Sequence, residues 1–121
     1  MTFAKLAALL GALSLSFTAC QQEVPSPWKE MSFPLRHAEQ LPGADATRLV
    51  LVYRKTDRRA DLFREFKRRL EQKGYEHTGA GKNHDEAARV ISSIFEQGER
   101  KIRLTITPSG ADTNVELKQL D

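Results

Sequence analysis

The first twenty residues decide which part of this 121-residue chain takes part in folding. One cation, Lys5, precedes an unbroken run of apolar and small residues from Leu6 to Phe17, and the only cysteine, Cys20, closes the stretch. A transmembrane helix needs roughly 20 apolar residues, whereas a signal peptide has a positive start and an apolar run of about 7–15 residues. The sequence therefore predicts that residues 1–19 form a cleaved secretory signal peptide and contribute nothing to the mature fold.

The segment Phe17-Thr18-Ala19-Cys20 resembles the lipobox of bacterial lipoproteins, in which small residues precede an acylated cysteine. The resemblance implies a lipoprotein precursor that is cut before Cys20 and held to the membrane by a lipid anchor of acyl chains, palmitate among them. Phe17 departs from the family pattern, which prefers leucine there. The alternative is an ordinary signal peptide that happens to contain a cysteine, but cleavage after Ala19 fits worse because Phe17 would occupy the −3 position.

The residue after Cys20 bears on localisation. The lipoprotein family uses aspartate there to retain proteins in the inner membrane, and this chain has Gln21. The resemblance therefore implies a protein anchored in the cell outer membrane and facing the periplasm.

Cysteine content and charge limit the mature chain further. A single cysteine excludes an intrachain disulfide, so packing alone must hold the chain, whose length suits one domain. The whole chain has a formal net charge of +3 from 19 basic and 16 acidic residues, and removal of Lys5 leaves +2, an excess too small to indicate nucleic acid as a partner. The charge is uneven, since the segment from Arg48 to Arg69 holds nine cations against three acids.

Residues 20–42 are predicted to form a lipid-anchored, proline-containing tether. The stretch carries four prolines and no sustained periodicity. Proline removes an amide donor and biases the preceding residue away from helix. Trp28 and Phe33 stand out within it; they either pack onto the edge of the domain or anchor a partner or the lipid interface.

Residues 43–121 are predicted to form one small α+β domain. Its first element, Leu49 to Tyr53, is a continuous apolar run typical of a central strand. The next is an amphipathic helix beginning at Thr56-Asp57, where Asp57 can cap the first amides. Its apolar stripe consists of Leu62, Phe63, Phe66 and Leu70.

The helix is predicted to end at Gly74. Glycine adopts the left-handed conformation that closes a helix, and Tyr75 can then fold back on Leu70.

The second half of the domain is predicted to be strands. Tyr75 to Thr78 forms a short one, and Ala87 to Gln97 fits either a helix or a strand. Because Gln97-Gly98-Glu99 suits a hairpin and the residues from Ile102 to Thr107 alternate between apolar and polar, the strand is favoured. After a turn rich in proline and glycine, Thr113 to Leu120 forms the last strand.

The predicted order is thus β-α-β-β-β-β, a mostly antiparallel sheet of four to five strands with one main helix packed on one face. Leu41-Pro42-Gly43-Ala44, together with Gly74-Tyr75 after the helix, resembles small uncharacterised domains of bacterial envelope proteins. That resemblance implies a fold and no activity.

One surface of the predicted helix is a candidate anion-binding site. Arg64, Lys67 and Arg68 point away from the apolar stripe, where they can contact anionic headgroups, lipopolysaccharide phosphates or an acidic partner. The alternative is a solvated face on which Asp61 and Glu65 pair with the cations.

Chemistry beyond binding has little support in the sequence. His77 and His84 flank a glycine-rich loop, but their spacing matches no ligand signature, so neither a metal nor another cofactor is predicted. No nucleophile–base arrangement is recognisable, so no catalytic residue is named and an enzyme is not expected. The sequence predicts a non-catalytic binding or accessory module of the envelope. The alternatives are a basic-helix module that binds anionic lipid or lipopolysaccharide, and a small metal-dependent hydrolase.

Overall fold

A computed structural model describes residues 23–55 and 58–120 of the chain. The elements in chain order are a short 3-10 helix (Trp28–Met31), β1 (Ala38–Gln40), β2 (Arg48–Tyr53), α1 (Arg59–Gln72), β3 (Glu76–Ala80), β4 (Ile91–Gln97), β5 (Arg100–Ser109) and β6 (Asp112–Leu120).

The strands form one sheet in the order β1-β2-β6-β5-β4-β3, and every neighbouring pair is antiparallel. Helix α1 carries the chain from β2 to the far edge at β3, and the remaining strands return as a meander. The predicted α+β class is confirmed. The predicted count of four to five strands is wrong, because the first of the six, β1, lies in the segment assigned to the tether.

One face of the sheet carries the core. Leu49 and Leu51 of β2 lie opposite Leu117 and Val115 of β6, so that these apolar side chains face each other on the same side of the sheet. Helix α1 lies over this face and buries Phe66 completely. The side chains with less than 2% of their surface exposed include Trp28, Leu49, Leu51, Phe66, Leu70, Phe95, Ile102, Leu104, Ile106, Val115 and Leu117.

The apolar stripe and the C-terminus of α1 agree with the sequence prediction. Phe66 and Leu70 are buried, and Leu62 and Phe63 pack half-buried against the core, so the predicted stripe is confirmed. At the C-terminus Gly74 has φ +92°, and the Tyr75 amide donates to the Leu70 carbonyl at 3.1 Å, which closes the helix as predicted.

The predicted start of the helix cannot be compared with the structure. Thr56 and Asp57, including the predicted cap, lie outside the described residues. Helix α1 itself begins at Arg59.

The ambiguous segment is a strand from Ile91 to Gln97, as favoured. Its pairing with β5 places Phe95 opposite Ile102, on the core face. Gln97 pairs with Arg100, so the turn has two residues, and its first residue, a glycine, has φ +60°. That conformation is the one a two-residue hairpin turn requires.

Residues 23–42 of the segment predicted as a tether are part of the folded body, so the described domain begins before the predicted boundary at residue 43. Trp28 is fully buried and its Nε1–H donates to the Asp45 carbonyl at 2.8 Å. Phe33 stacks on Phe66 of α1 with ring centroids 4.7 Å apart. Both aromatic side chains pack onto the domain, so the first interpretation of Trp28 and Phe33 is the one observed.

The opposite face of the sheet contains a buried polar pair. The hydroxyls of Ser92 in β4 and Thr105 in β5 lie 3.1 Å apart. The backbone of Gly81 crosses so close to them that a Cβ there would lie 2.2 Å from the Ser92 Oγ. Packing on this face thus requires a residue without a side chain at Gly81.

Candidate anion-binding groove

A tight turn forms the first wall of a groove beside helix α1. The Ala38 amide donates to the Leu35 carbonyl at 3.0 Å, which makes Arg36 and His37 the two central residues of the turn. His37 has φ +66°, and both side chains are exposed. The turn therefore presents two basic side chains to the groove.

The base of the groove is anchored by Tyr53, the last residue of β2. Its hydroxyl donates to the Pro34 carbonyl and its side chain is only 5% exposed. Burial raises the pKa of Tyr53, so the phenol stays protonated and continues to donate this hydrogen bond at physiological pH. The basic turn is thereby fixed to the sheet.

The first turns of α1 form the opposite wall. Arg58 donates through Nε to Asp61 Oδ2 at 3.2 Å, and Arg64 donates to the other oxygen of the same carboxylate. Arg58 and Arg64 share the single carboxylate of Asp61, so among the described residues this trio keeps a net positive charge and N–H donors for a ligand.

A further arginine, Arg54, lines the groove. Its guanidinium pairs with Glu39 of β1 and with Asp112 of β6, each at 3.0 Å. The hydrogen bond to Glu39 is the largest cause that raises the pKa of Arg54. The backbone amide of Lys55 donates to Asp112 at 2.8 Å and, with Arg54, lowers the pKa of that carboxyl. Arg54 is therefore held in place by strands on either side of β2.

The groove has a volume of about 600 Å³ and is basic. Four arginines and one histidine line it against two carboxylates, and Glu39 and Asp112 pair with Arg54 from outside the lining. Arg36 makes no ion pair within residues 23–55 and 58–120, so its charge remains available. Guanidinium groups fit the paired oxygens of phosphate and carboxylate, and phosphate offers the higher charge. The groove therefore suits a phosphate-bearing group with attached atoms that occupy the remaining volume.

The three predicted anion-binding residues are not brought together in this groove. Only Arg64 lines it. Lys67 lies 3.7 Å from Glu71, and Arg68 lies 2.5 Å from Glu65. The outer face of α1 thus carries ion pairs on each predicted cation, as the solvated alternative expects.

The groove residues that the sequence did not predict lie in two parts of the chain, the turn before β1 and the connection between β2 and α1. Arg54 and Arg58 fall inside the basic segment, which was the available signal. The sequence carries no such signal for Arg36 and His37, because their role depends on a turn in a stretch without hydrophobic periodicity.

The remaining histidines make structural contacts. His77 stacks on Phe95 with ring centroids 5.0 Å apart. The backbone amide of Ser92 donates to Nδ1 of His84 at 3.2 Å. Within the part of the chain that the structure describes, no group of three or more histidine, cysteine or acidic side chains is arranged to hold a metal ion.

Cys20 and the predicted signal peptide, residues 1–19, lie outside the described residues. Among the helices of residues 23–55 and 58–120, none combines the length and apolarity needed to cross a bilayer. No protein-family model, curated protein or solved structure matches this chain.

Proposed function

We propose that this chain is a lipid-anchored protein of the bacterial cell envelope, acylated at Cys20, whose folded domain acts by binding rather than by catalysis. Its ligand is a phosphate-bearing group at the membrane surface, such as an anionic lipid headgroup or lipopolysaccharide. The lipid anchor is supported by the apolar run, the small residues before the lone cysteine, and the glutamine that follows it.

The observation that carries the binding proposal is the basic groove between the Arg36–His37 turn and α1. Its cations come from three elements that fixed contacts hold in place, namely the turn, the end of β2 and the first turns of α1. A site assembled in advance loses little entropy when it binds an ion. A surface of flexible, solvated cations lacks this advantage.

Acylation is tested by growing cells with radiolabelled palmitate. Label should enter the wild-type protein and be absent from a Cys20→Ser variant. Equal labelling of both proteins, or no labelling of either, would contradict the anchor.

Binding is tested with residues 20–121 carrying Cys20→Ser, a chain that contains all the described residues and lacks the acylated thiol. The probes are inorganic phosphate, purified lipopolysaccharide, and vesicles with and without phosphatidylglycerol. Arg36→Gln should weaken binding to the anionic probes about tenfold or more, since hydrogen bonds to charged groups contribute about 1.5–3 kcal/mol.

The matched control is Arg48→Gln, which removes the same charge from the exposed side chain that pairs with Glu116. It should leave binding nearly unchanged. Binding to phosphate alone would identify a soluble ligand, and binding only to vesicles or lipopolysaccharide would identify a headgroup. If both variants weaken binding equally, general surface charge accounts for it and the groove proposal fails.

The second candidate is the outer face of α1, favoured by the clustering of Lys67 and Arg68 beside Arg64. A Lys67→Gln, Arg68→Gln double variant separates it from the groove. Should this variant lose salt-sensitive vesicle binding while Arg36→Gln retains it, the helix face is the site.

A further inference from the structure

A second groove, separate from the basic one, lies beside the start of the described chain. It has a volume of about 280 Å³ and is lined by Glu23, Val24, Trp28, Lys29, Ser32, Phe33 and Leu35. The Nε1–H of Trp28 is already bonded to the Asp45 carbonyl, so the indole offers the groove only carbon. The groove therefore suits an apolar occupant.

Leu35 leaves apolar surface exposed at the edge of this groove. Its side chain is 45% exposed, the largest exposure of a bulky apolar side chain in the described part of the protein. Trp28 and Phe33, which continue the same surface, are at most 5% exposed. An apolar ligand lying across them would remove Leu35 from water.

The residues at one end of the groove follow closely after Cys20, and this indicates what occupies it. Glu23 and Val24 form one end of it, and Cys20 lies three residues before Glu23. Three extended residues span at most about 10 Å. An acyl chain on Cys20 therefore begins within reach of the groove, and its attachment gives it a high effective concentration there.

The same turn separates the apolar groove from the basic groove. Leu35 lines the apolar groove, while its neighbours Pro34 and Arg36 line the basic one. Lys29 adds a cation at the edge of the apolar groove. One side of the domain thus combines an apolar groove near the lipid attachment point with a site for phosphate.

We infer that one acyl chain carried by Cys20 lies in the groove formed by Val24, Trp28, Phe33 and Leu35, so that the domain is held directly against the membrane. This inference rests on the proposed acylation of Cys20. It adds to that proposal a fixed orientation of the domain on the membrane, in which the basic groove faces the headgroups.

The test uses Trp28, the only tryptophan of the chain, as a fluorescent reporter. Cells grown on bromine-substituted palmitate yield acyl chains that quench a tryptophan on contact. The intact acylated protein, purified in detergent, should show clearly weaker Trp28 emission than protein from cells fed ordinary palmitate. Leu35→Asp should restore most of the emission, because it places a charge in the groove. Since Leu35 is exposed, the substitution leaves the core intact.

The control is Arg48→Gln, an exposed position that lines neither groove, and it should be quenched like the wild type. Unquenched Trp28 in protein whose Cys20 acylation is verified by mass spectrometry would overturn the inference and leave the proposed anchor intact. Equal quenching in Leu35→Asp would also overturn it, since contact with the micelle would then explain the effect. An unacylated Cys20 would overturn both proposals.

Discussion

The hydroxyl of Tyr53 at the end of β2 donates a hydrogen bond to the backbone carbonyl of Pro34. These residues are 19 positions apart, and the bond joins the sheet to the turn that separates the basic groove from the apolar one. This bond therefore helps to hold in place the turn that both grooves share.

Replacing Tyr53 with phenylalanine removes this bond and leaves the ring in place. We expect the free energy of unfolding to fall by about 1 kcal/mol, the net value of a typical hydrogen bond. Affinity for phosphate-bearing probes should fall too, because the turn that carries Arg36 loses one of its attachments to the sheet. Urea unfolding and phosphate titration measure the two effects. Tyr75→Phe, the same change at the other tyrosine, should leave phosphate affinity unchanged; a loss there as well would argue against the role of Tyr53.

Phe66→Ala should be the most damaging single change on α1. The side chain is fully buried between Phe33, on which it stacks, and Tyr53, which meets it edge-on at 6.4 Å. Phenylalanine-to-alanine changes in cores cost about 3–5 kcal/mol through lost transfer energy and the cavity left behind. Phe63→Ala, at a half-buried position of the same helix, should cost clearly less in urea unfolding. Similar losses at both positions would mean that the stacking of Phe66 on Phe33 contributes little to the free energy of unfolding.

Gly81→Ala should destabilise the fold by about 1–3 kcal/mol through overpacking. The new Cβ would lie 2.2 Å from the Ser92 Oγ, whereas the nearest Arg103 atom would be 3.1 Å away. Ser92→Ala removes the closest clashing atom, so in the double variant the Gly81→Ala substitution should cost much less. A double-mutant cycle by urea unfolding measures this coupling. Additive losses would show that the Ser92 hydroxyl is not the obstacle.

Acid should destabilise the protein partly through Asp112. Hydrogen bonds from the Lys55 amide and from Arg54 lower the pKa of Asp112 below its ordinary value of 3.8. A carboxyl with a lowered folded-state pKa stabilises the fold above the unfolded-state pKa and loses that contribution as pH falls through the folded-state pKa. In Asp112→Asn the melting temperature should therefore fall less steeply below about pH 4 than in the wild type.

Thermal unfolding followed from about pH 6 to about pH 2 measures this difference. Glu99→Gln removes a carboxylate from an exposed hairpin turn and should keep the wild-type slope. If the Asp112→Asn profile runs parallel to the wild-type profile, the contacts of Asp112 contribute nothing to acid sensitivity.

Local patterns predicted helix α1 and the strands that follow it well. The stripe containing Phe66 and Leu70 and the glycine after it determine where α1 lies and ends, because both signals act within a few residues. The strand from Ile91 to Gln97 required one further observation, the two-residue turn that follows it. Such short-range features can be read directly from a sequence.

The first part of the domain and the groove could not be predicted in this way. Residues 23–42 have no period because Trp28 and Phe33 are buried individually, in contacts with Asp45 and Phe66 that are distant in sequence. The groove in turn requires Arg36 and Arg58 on facing walls, and only the three-dimensional packing of the turn against α1 brings them together.

The position of β6 has a consequence for how the chain is made. The last strand lies between β2 and β5, so its insertion joins the two halves of the sheet. A nascent polypeptide that ends before Asp112 lacks this central strand and keeps both flanking edges open. The complete sheet can therefore form only after β6 has been synthesised, and a truncation before Asp112 would leave its two halves unjoined.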